Sequence, residues 1–453
     1  MENNSASTRP GQQPWYKDIS RSQWKVLAAA WGVWVMDALD FLAITFVLSD
    51  IANEFDVSLQ STSLLLLATY GVRWFGGLMF GGWSDRIGRK IPLLITLLWF
   101  TAGAVATGLA WSFVALVLFR LILGIGMAPG FSLGATMVAE SWPEKHRAIG
   151  IGILDTGWGI GAIGAALAYN FVYPEFGWRG MFFVGLVPGI ILGLFIAFMV
   201  PESEVWLRNR DALRSKAKEK VAFKDFPAIM LFRLHPGRVG YLAIMMLVLC
   251  FGSWPFQGLF PTYLKSLGTA AHVITWLTMT SAVGQVFGFF ASGFIAERLG
   301  RRLGLGAMLG VGSLFVVALV YAVDHLPVAL VCAFFSGFFL VGSSGIWGTI
   351  LTENLPTQVR ASGVGFLYNV GVIGGGVAPF IVLSTIDKLH FDIAEGIAGF
   401  TLLAALLAFV ILKFVKETRG VSLHDVSGEK NAADEPQVVP SSSHAAQSPG
   451  APL

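Results

Sequence analysis

Stretches of about 20 apolar residues recur along this chain, at 24–49, 61–82, 91–111, 113–138, 148–172 and 181–200, then at 239–264, 273–296, 303–323, 328–351, 361–385 and 394–415. A helix of that length crosses the hydrocarbon core of a bilayer. No water inside that core serves backbone N–H and C=O groups, so each stretch must satisfy them within itself, as a helix. The intervals are short with one exception: 201–238 carries Arg208, Arg210, Arg214, Lys216, Lys218, Lys220 and Lys224 and is too polar to cross. The pattern predicts an all-α membrane protein of twelve transmembrane helices in two six-helix bundles, over 24–200 and 239–415. Residues 1–23 read as a polar cytoplasmic segment and 201–238 as a cytoplasmic linker. Residues 416–453, rich in Ser, Ala and Pro, read as a disordered cytoplasmic tail.

Composition strengthens this reading. Of 453 residues, 55% are hydrophobic and 13% charged, an apolar share above that of soluble domains. The net charge of +3 is small, and no basic run is interleaved with aromatics, which argues against a nucleic-acid partner. Placement of charge is more telling. With both termini cytoplasmic, 26 of the 31 Lys and Arg fall on that side, Arg179, Lys265 and Lys388 fall outside, and Arg73 and Arg120 lie within spans. The positive-inside rule thus sets the orientation, as expected for a bacterial inner-membrane protein. Cys250 and Cys332 sit inside apolar segments and suggest neither disulfide nor metal site. No small-residue cleavage site follows the polar N-terminus, so the first span is expected to remain.

An internal repeat relates the halves. The loop after the second span reads Gly81-x-x-x-Asp85-Arg86-x-Gly88-Arg89-Lys90, and that after the eighth reads Gly293-x-x-x-Glu297-Arg298-x-Gly300-Arg301-Arg302, 212 residues on. After the fourth and tenth spans stand Glu140-x-x-Pro143-x-x-x-Arg147-Ala148-x-Gly150-x-Gly152 and Glu353-x-x-Pro356-x-x-x-Arg360-Ala361-x-Gly363-x-Gly365, displaced by 213. An offset of six helices preserves orientation, so the repeats are parallel. The pattern resembles the major facilitator superfamily, which implies two bundles rocking about a central site in a chain that works as a monomer. The carboxylates and arginines of these loops (Asp85, Arg86, Arg89, Glu140, Arg147, Glu297, Arg298, Arg301, Glu353, Arg360) are expected to latch helix ends on the cytoplasmic side; the plainer reading is an orienting basic loop.

Charge within a span costs roughly 2.5–3.5 kcal/mol even on a lenient insertion scale and marks a functional candidate. Five such residues stand out, all in the first half: Asp37 and Asp40 in span 1, Arg73 in span 2, Arg120 in span 4 and Asp155 in span 5. Asp37 and Asp40, three apart, share a helix face. In the functional reading Arg73, or Arg120, binds a substrate carboxylate while Asp37, Asp40 or Asp155 carries the proton. In the alternative, Asp37, Asp40, Arg73 and Arg120 form a static network holding helices together. All seven histidines lie in loops, at helix ends or in the tail, so proton coupling falls to carboxylates. In the second half, span 7 is interrupted at Gly252-Ser253-Trp254-Pro255-Phe256-Gln257-Gly258, either a proline kink or a break that lends Trp254 and Gln257 to a ligand. Trp34, Trp158 and Trp347 are further candidates to line the path. No phosphate-binding G-x-x-x-x-G-K-[ST] or zinc-binding H-E-x-x-H occurs, so neither enzyme nor cofactor is expected, and an ion gradient is the simplest energy source.

Asp37-Ala38-Leu39-Asp40-Phe41, Arg73-Trp74-Phe75-Gly76-Gly77-Leu78-Met79, Arg120-x-x-x-Gly124-x-Gly126-Met127-Ala128, Glu140-Ser141-Trp142-Pro143 and Gly177-Trp178-Arg179-x-x-Phe182-Phe183 are similar to stretches of the sialate:proton symporter family. The resemblance implies proton-coupled uptake of a sialic acid or a short monocarboxylate such as lactate. One departure stands out. Sialate-type members often carry a glutamate after Met-Ala-Gly in the fourth span, whereas here Pro129-Gly130 follows, and Asp155 appears in the fifth span at similar depth. Asp155 is therefore expected to replace the lost acid. The rivals are an aromatic-acid or sugar-acid symporter, an exporter, and a transporter-like sensor that binds without moving its ligand. The absence of a Gly-Pro pair in span 5, found in many drug antiporters of the superfamily, tilts towards uptake.

Overall fold

A computed structural model describes residues 15–143, 146–203, 207, 236–355 and 360–417, and the regular elements among them are helical. The first bundle comprises α1 (Arg21–Glu54), α2 (Leu59–Gly71), α3 (Arg73–Ile87), α4 (Lys90–Gly108), α5 (Phe113–Met127), α6 (Pro129–Ser141), α7 (Arg147–Phe171), α8 (Tyr173–Phe183) and α9 (Leu186–Met199). The second comprises α10 (Pro236–Ser266), α11 (Ala271–Leu299), α12 (Arg301–Tyr321), α13 (Leu326–Ser336), α14 (Ser344–Glu353), α15 (Arg360–Leu389) and α16 (Ile393–Leu412). Eleven described stretches are long and apolar enough to cross a membrane. The twelfth span is α2 with α3, each too short alone because the helix breaks at Val72. The Val72 carbonyl bridges that break by accepting from the N–H groups of Phe75 and Gly76 at 3.0 and 3.4 Å. Other spans are also jointed. Pro129, with no N–H to give, opens α6 directly after α5, and a π-helical turn, Gly337–Val341, sits between α13 and α14.

Helix ends follow local chemistry. Ser20 and Gln23 cap α1 reciprocally, so it starts before the apolar run and reaches Glu54 beyond it. Gly88 and Gly300 adopt φ of +103° and +89°, the left-handed region open to glycine, and turn the chain between α3 and α4 and between α11 and α12. Glycine also sets how closely α5 meets the second span. A Cβ on Gly124 would stand 2.0 Å from the Thr69 carbonyl oxygen, and one on Gly76 would stand 2.0 Å from that of Ile125. Backbones that close hold Arg73, midway between Thr69 and Gly76, over the end of α5.

The two halves meet through α1, α2, α3, α7, α10, α11 and α15. Among the described residues, the polar contacts between the halves, apart from one between Trp158 and Gln257, gather at the end away from the repeated basic loops. There Thr262 donates to the Thr45 carbonyl at 3.0 Å, Thr275 to that of Ala166 at 3.2 Å, and Gln60 to Ser384 at 2.6 Å. Lys265 of α10 pairs with Asp50 of α1 and donates to the Tyr173 hydroxyl at 2.7 Å; that hydroxyl in turn donates to Asp50 at 2.9 Å. At the basic end, the described ion pairs each stay within one half. Most of the linker and tail boundaries lie outside the described residues.

Candidate functional site

Asp37 and Arg73 form the first of two buried ion pairs. Arg73 Nη2 donates to Asp37 Oδ2 at 2.7 Å and Nη1 to Oδ1 at 3.4 Å, a forked contact, and Nη2 also reaches the Met127 carbonyl at 3.2 Å. The side chains are 3% and 1% exposed. The guanidinium carbon lies 5.2 Å from the Tyr70 ring centroid, and Nε has no hydrogen-bond partner among the described residues. A Cβ on Gly130 would stand 3.9 Å from Asp37 Oδ2, in ordinary contact with it.

Asp40 and Arg120 form the second pair, at 2.8 Å. Arg120 is completely buried, its guanidinium 5.7 Å from the Phe182 ring, with Nε and Nη2 unpartnered among the described residues. The small cavity beside Asp40 is lined by first-half residues alone, among them Met36, Phe100, Thr101, Met181 and Phe182. The four charges thus resolve into two pairs one helical turn apart on α1, not one shared network.

The first pair faces the second bundle. Tyr368 of α15 lies within electrostatic range of Arg73, Asp37 and Asp155. Asp155, half-buried on α7, makes no hydrogen bond or ion pair among the described residues. Rings continue the wall from there. Phe131 stacks on Tyr368 across the two halves at 5.5 Å and touches Trp34 at 4.7 Å; Trp34 meets Trp158 at 5.1 Å. Phe41 joins Trp158 to Trp254 at 5.4 and 5.0 Å, and Tyr70 meets Trp254 edge-on at 4.7 Å. Trp158 Nε1 donates to Gln257 Oε1 at 3.1 Å. The segment from Gly252 to Gly258 stays helical despite Pro255 and is buried, so it offers side chains rather than free backbone.

The loop residues arrange themselves as a duplicated motif. Arg89 bonds Glu140 at 3.3 Å, and Arg301 holds Glu353 through two contacts of 3.0 and 3.2 Å. Glu202 accepts from the backbone N–H groups of Arg89 and Lys90, at 2.7 and 3.2 Å, and Glu417 does the same for Arg301 and Arg302, at 3.0 and 3.1 Å. Each acid sits at a helix N-terminus, where negative charge is favoured. Glu297 and Arg298 are exposed and unpaired among the described residues. The side chains of Asp85, Arg86, Arg147 and Arg360 lie outside the described ones. Sequence reasoning passed over Glu202 and Glu417, although both directly follow the last span of a half and stand 215 apart, close to the repeat offset. It also passed over Asp50, Tyr173, Phe131 and Tyr368.

Comparison with known proteins agrees with this architecture. The family model described as Major Facilitator Superfamily matches residues 30–251 and 242–441. The sialic acid transporter NanX of Escherichia coli is 28% identical over 400 residues, covering 88% of this chain and 95% of that protein. The cis,cis-muconate transport protein of Acinetobacter baylyi is 29% identical, covering 80% and 87%. A crystal structure of a D-xylose-proton symporter superposes with a TM-score of 0.69 at 18% identity, over 88% of this chain and 99% of that one, a likeness of fold.

Proposed function

Because this chain belongs to the Major Facilitator Superfamily, we propose that it is a secondary transporter taking up a small organic monocarboxylate with a proton, its two bundles alternating access to the Arg73–Asp37 pair. The observation that carries this is the forked Arg73–Asp37 contact, which faces the other bundle and has unpaired Asp155 in the same electrostatic neighbourhood. In the empty site Asp37 neutralises Arg73. An incoming carboxylate competes for the guanidinium, and the acid it displaces takes up a proton. One anion and one proton leave the net charge of the centre unchanged, so the loaded site can be enclosed without an uncompensated charge, the costly situation in a low-dielectric interior. The relatives named above are described as carriers of sialic acid and cis,cis-muconate, both carboxylic acids, which supports an acid as cargo. The charge distribution supports a bacterial inner-membrane location with both termini cytoplasmic. The contacts between halves at the outer end correspond to a state closed to the outside.

The test is uptake of sialate, lactate, pyruvate and benzoate by the full chain in proteoliposomes, with the outside made acidic. Accumulation that collapses on adding a protonophore is expected. Asp155→Asn should keep exchange of labelled for unlabelled acid while losing accumulation driven by the pH gradient. If no acid moves, the transport reading is wrong; if the variant accumulates like the wild type, Asp155 has no part in coupling.

A further inference from the structure

The walls around Arg73 bear on the shape of the cargo, given the carboxylate reading above. Phe131 follows Gly130, the residue beside Asp37, and its ring meets Trp34 at a tilt and stacks on Tyr368, at 4.7 and 5.5 Å. Phe131 and Tyr368 lie at an interplanar angle of 28°, and they belong to different halves. A ligand that separates the halves there meets two ring faces that are already nearly parallel. Several polar groups on the same wall are already engaged: Trp158 donates to Gln257 Oε1 at 3.1 Å, Trp31 donates to Thr156 at 3.1 Å, and Asn369 donates to the Gly365 carbonyl of its own helix at 2.9 Å. The Tyr70 and Tyr368 hydroxyls and the Asp155 carboxyl remain without hydrogen bonds among the described residues.

We infer that the cargo is a flat, conjugated carboxylate, aromatic or diene, whose carboxylate takes Arg73 while its plane inserts between Phe131 and Tyr368. A hydroxyl-rich acid would surrender water at each hydroxyl and find few partners in return, a loss that binding sites use to reject ligands. A saturated ring of the same size reaches the same arginine but lacks the π-face that pairs with aromatic rings. Two such faces correspond to about tenfold in affinity.

The experiment compares matched acids in the full chain reconstituted in proteoliposomes: benzoate against cyclohexanecarboxylate, and sorbate against hexanoate, with N-acetylneuraminate and lactate alongside. The planar member of each pair should half-saturate uptake at about tenfold lower concentration, with the sialic acid poorest. Phe131→Leu should bring the pairs together, the planar acids losing more affinity than their saturated counterparts. Equal half-saturation within both wild-type pairs, or preference for the sialic acid or lactate, overturns the planar cargo and leaves the carboxylate reading standing. Failure of every acid to move overturns both.

Discussion

Two arginine–aspartate pairs share one helix, three residues apart, yet their surroundings differ. Arg73 holds Asp37 through a fork, rests on Tyr70, borrows the Met127 carbonyl and lies near Tyr368 of the opposite bundle. Arg120 holds Asp40 through a single contact and is capped by Phe182, and the small cavity beside Asp40 is lined by first-half residues. Inside one rigid bundle, a pair keeps its neighbours whichever way the halves rock. At the seam, neighbours change with every cycle. On the transport proposed above, position relative to the moving interface, not chemistry alone, is what would separate a working charge from a structural one. The expected consequence is that the pairs respond in opposite ways to removal of charge.

The largest expected effect falls on the seam. Arg73→Ala should lower uptake at least a hundredfold while the protein still inserts and purifies, since the anion loses its counter-charge. Initial rates in vesicles, normalised to the amount of protein, measure this; uptake within threefold of wild type would end Arg73's role as the anion site. Either single change strands a buried acid, Asp37 being 1% and Asp40 7% exposed, so the discriminating comparison is between the double changes. Arg120→Ala leaves Asp40 buried without a partner, a loss of about 3–5 kcal/mol, and should reduce yield and thermal stability. Replacing both members by apolar residues of similar size, Asp40→Leu with Arg120→Met, should recover stability and keep transport. The analogous double change at Asp37 and Arg73 should yield stable protein that does not transport. If the two double variants behave alike, the contrast between pairs is unfounded.

How much of this was open to sequence reading follows from what each feature costs. Lone charges in apolar spans stand out because burial is expensive, so Asp37, Asp40, Arg73, Arg120 and Asp155 were visible as candidates. Which acid meets which arginine was not, because Asp37 and Asp40 share a face and only the rotation and crossing of α1, α3 and α5 assign them. The duplicated loops were visible through their offset, and so was the twelve-helix plan. Glu202 and Glu417 were hidden because an acid beside a helix end looks ordinary until the turn at Gly88 or Gly300 brings a helix N-terminus to it. The break at Val72 was equally silent: Gly71-Val72-Arg73 holds no proline, and the cause is the close crossing with α5. Phe131 and Tyr368 carry no charge to betray them in apolar helices; their meeting depends on how the bundles dock.

The smallest expected effect concerns the outer clasp, which belongs to the seam but touches no cargo. Lys265, Asp50 and Tyr173 join the halves where side chains are about one-fifth exposed, 23% for Lys265 and 21% for Asp50. Partial solvation weakens such a pair, to about 1 kcal/mol or less in exposed cases, so its loss should shift the balance of states by about fivefold and not abolish the cycle. Lys265→Met removes the charge while keeping much of the stem's packing. Its readout is accessibility: with Thr45, whose carbonyl accepts from Thr262 in the closed arrangement, replaced by Cys, labelling by an impermeant maleimide from outside should rise severalfold in the Lys265→Met background. Cys250 and Cys332 are buried and supply a low baseline. Uptake should change by no more than a few fold. Unchanged labelling would mean that the apolar packing of α1 against α10, not the clasp, keeps the outer end shut, and would move the control of access from charge to shape.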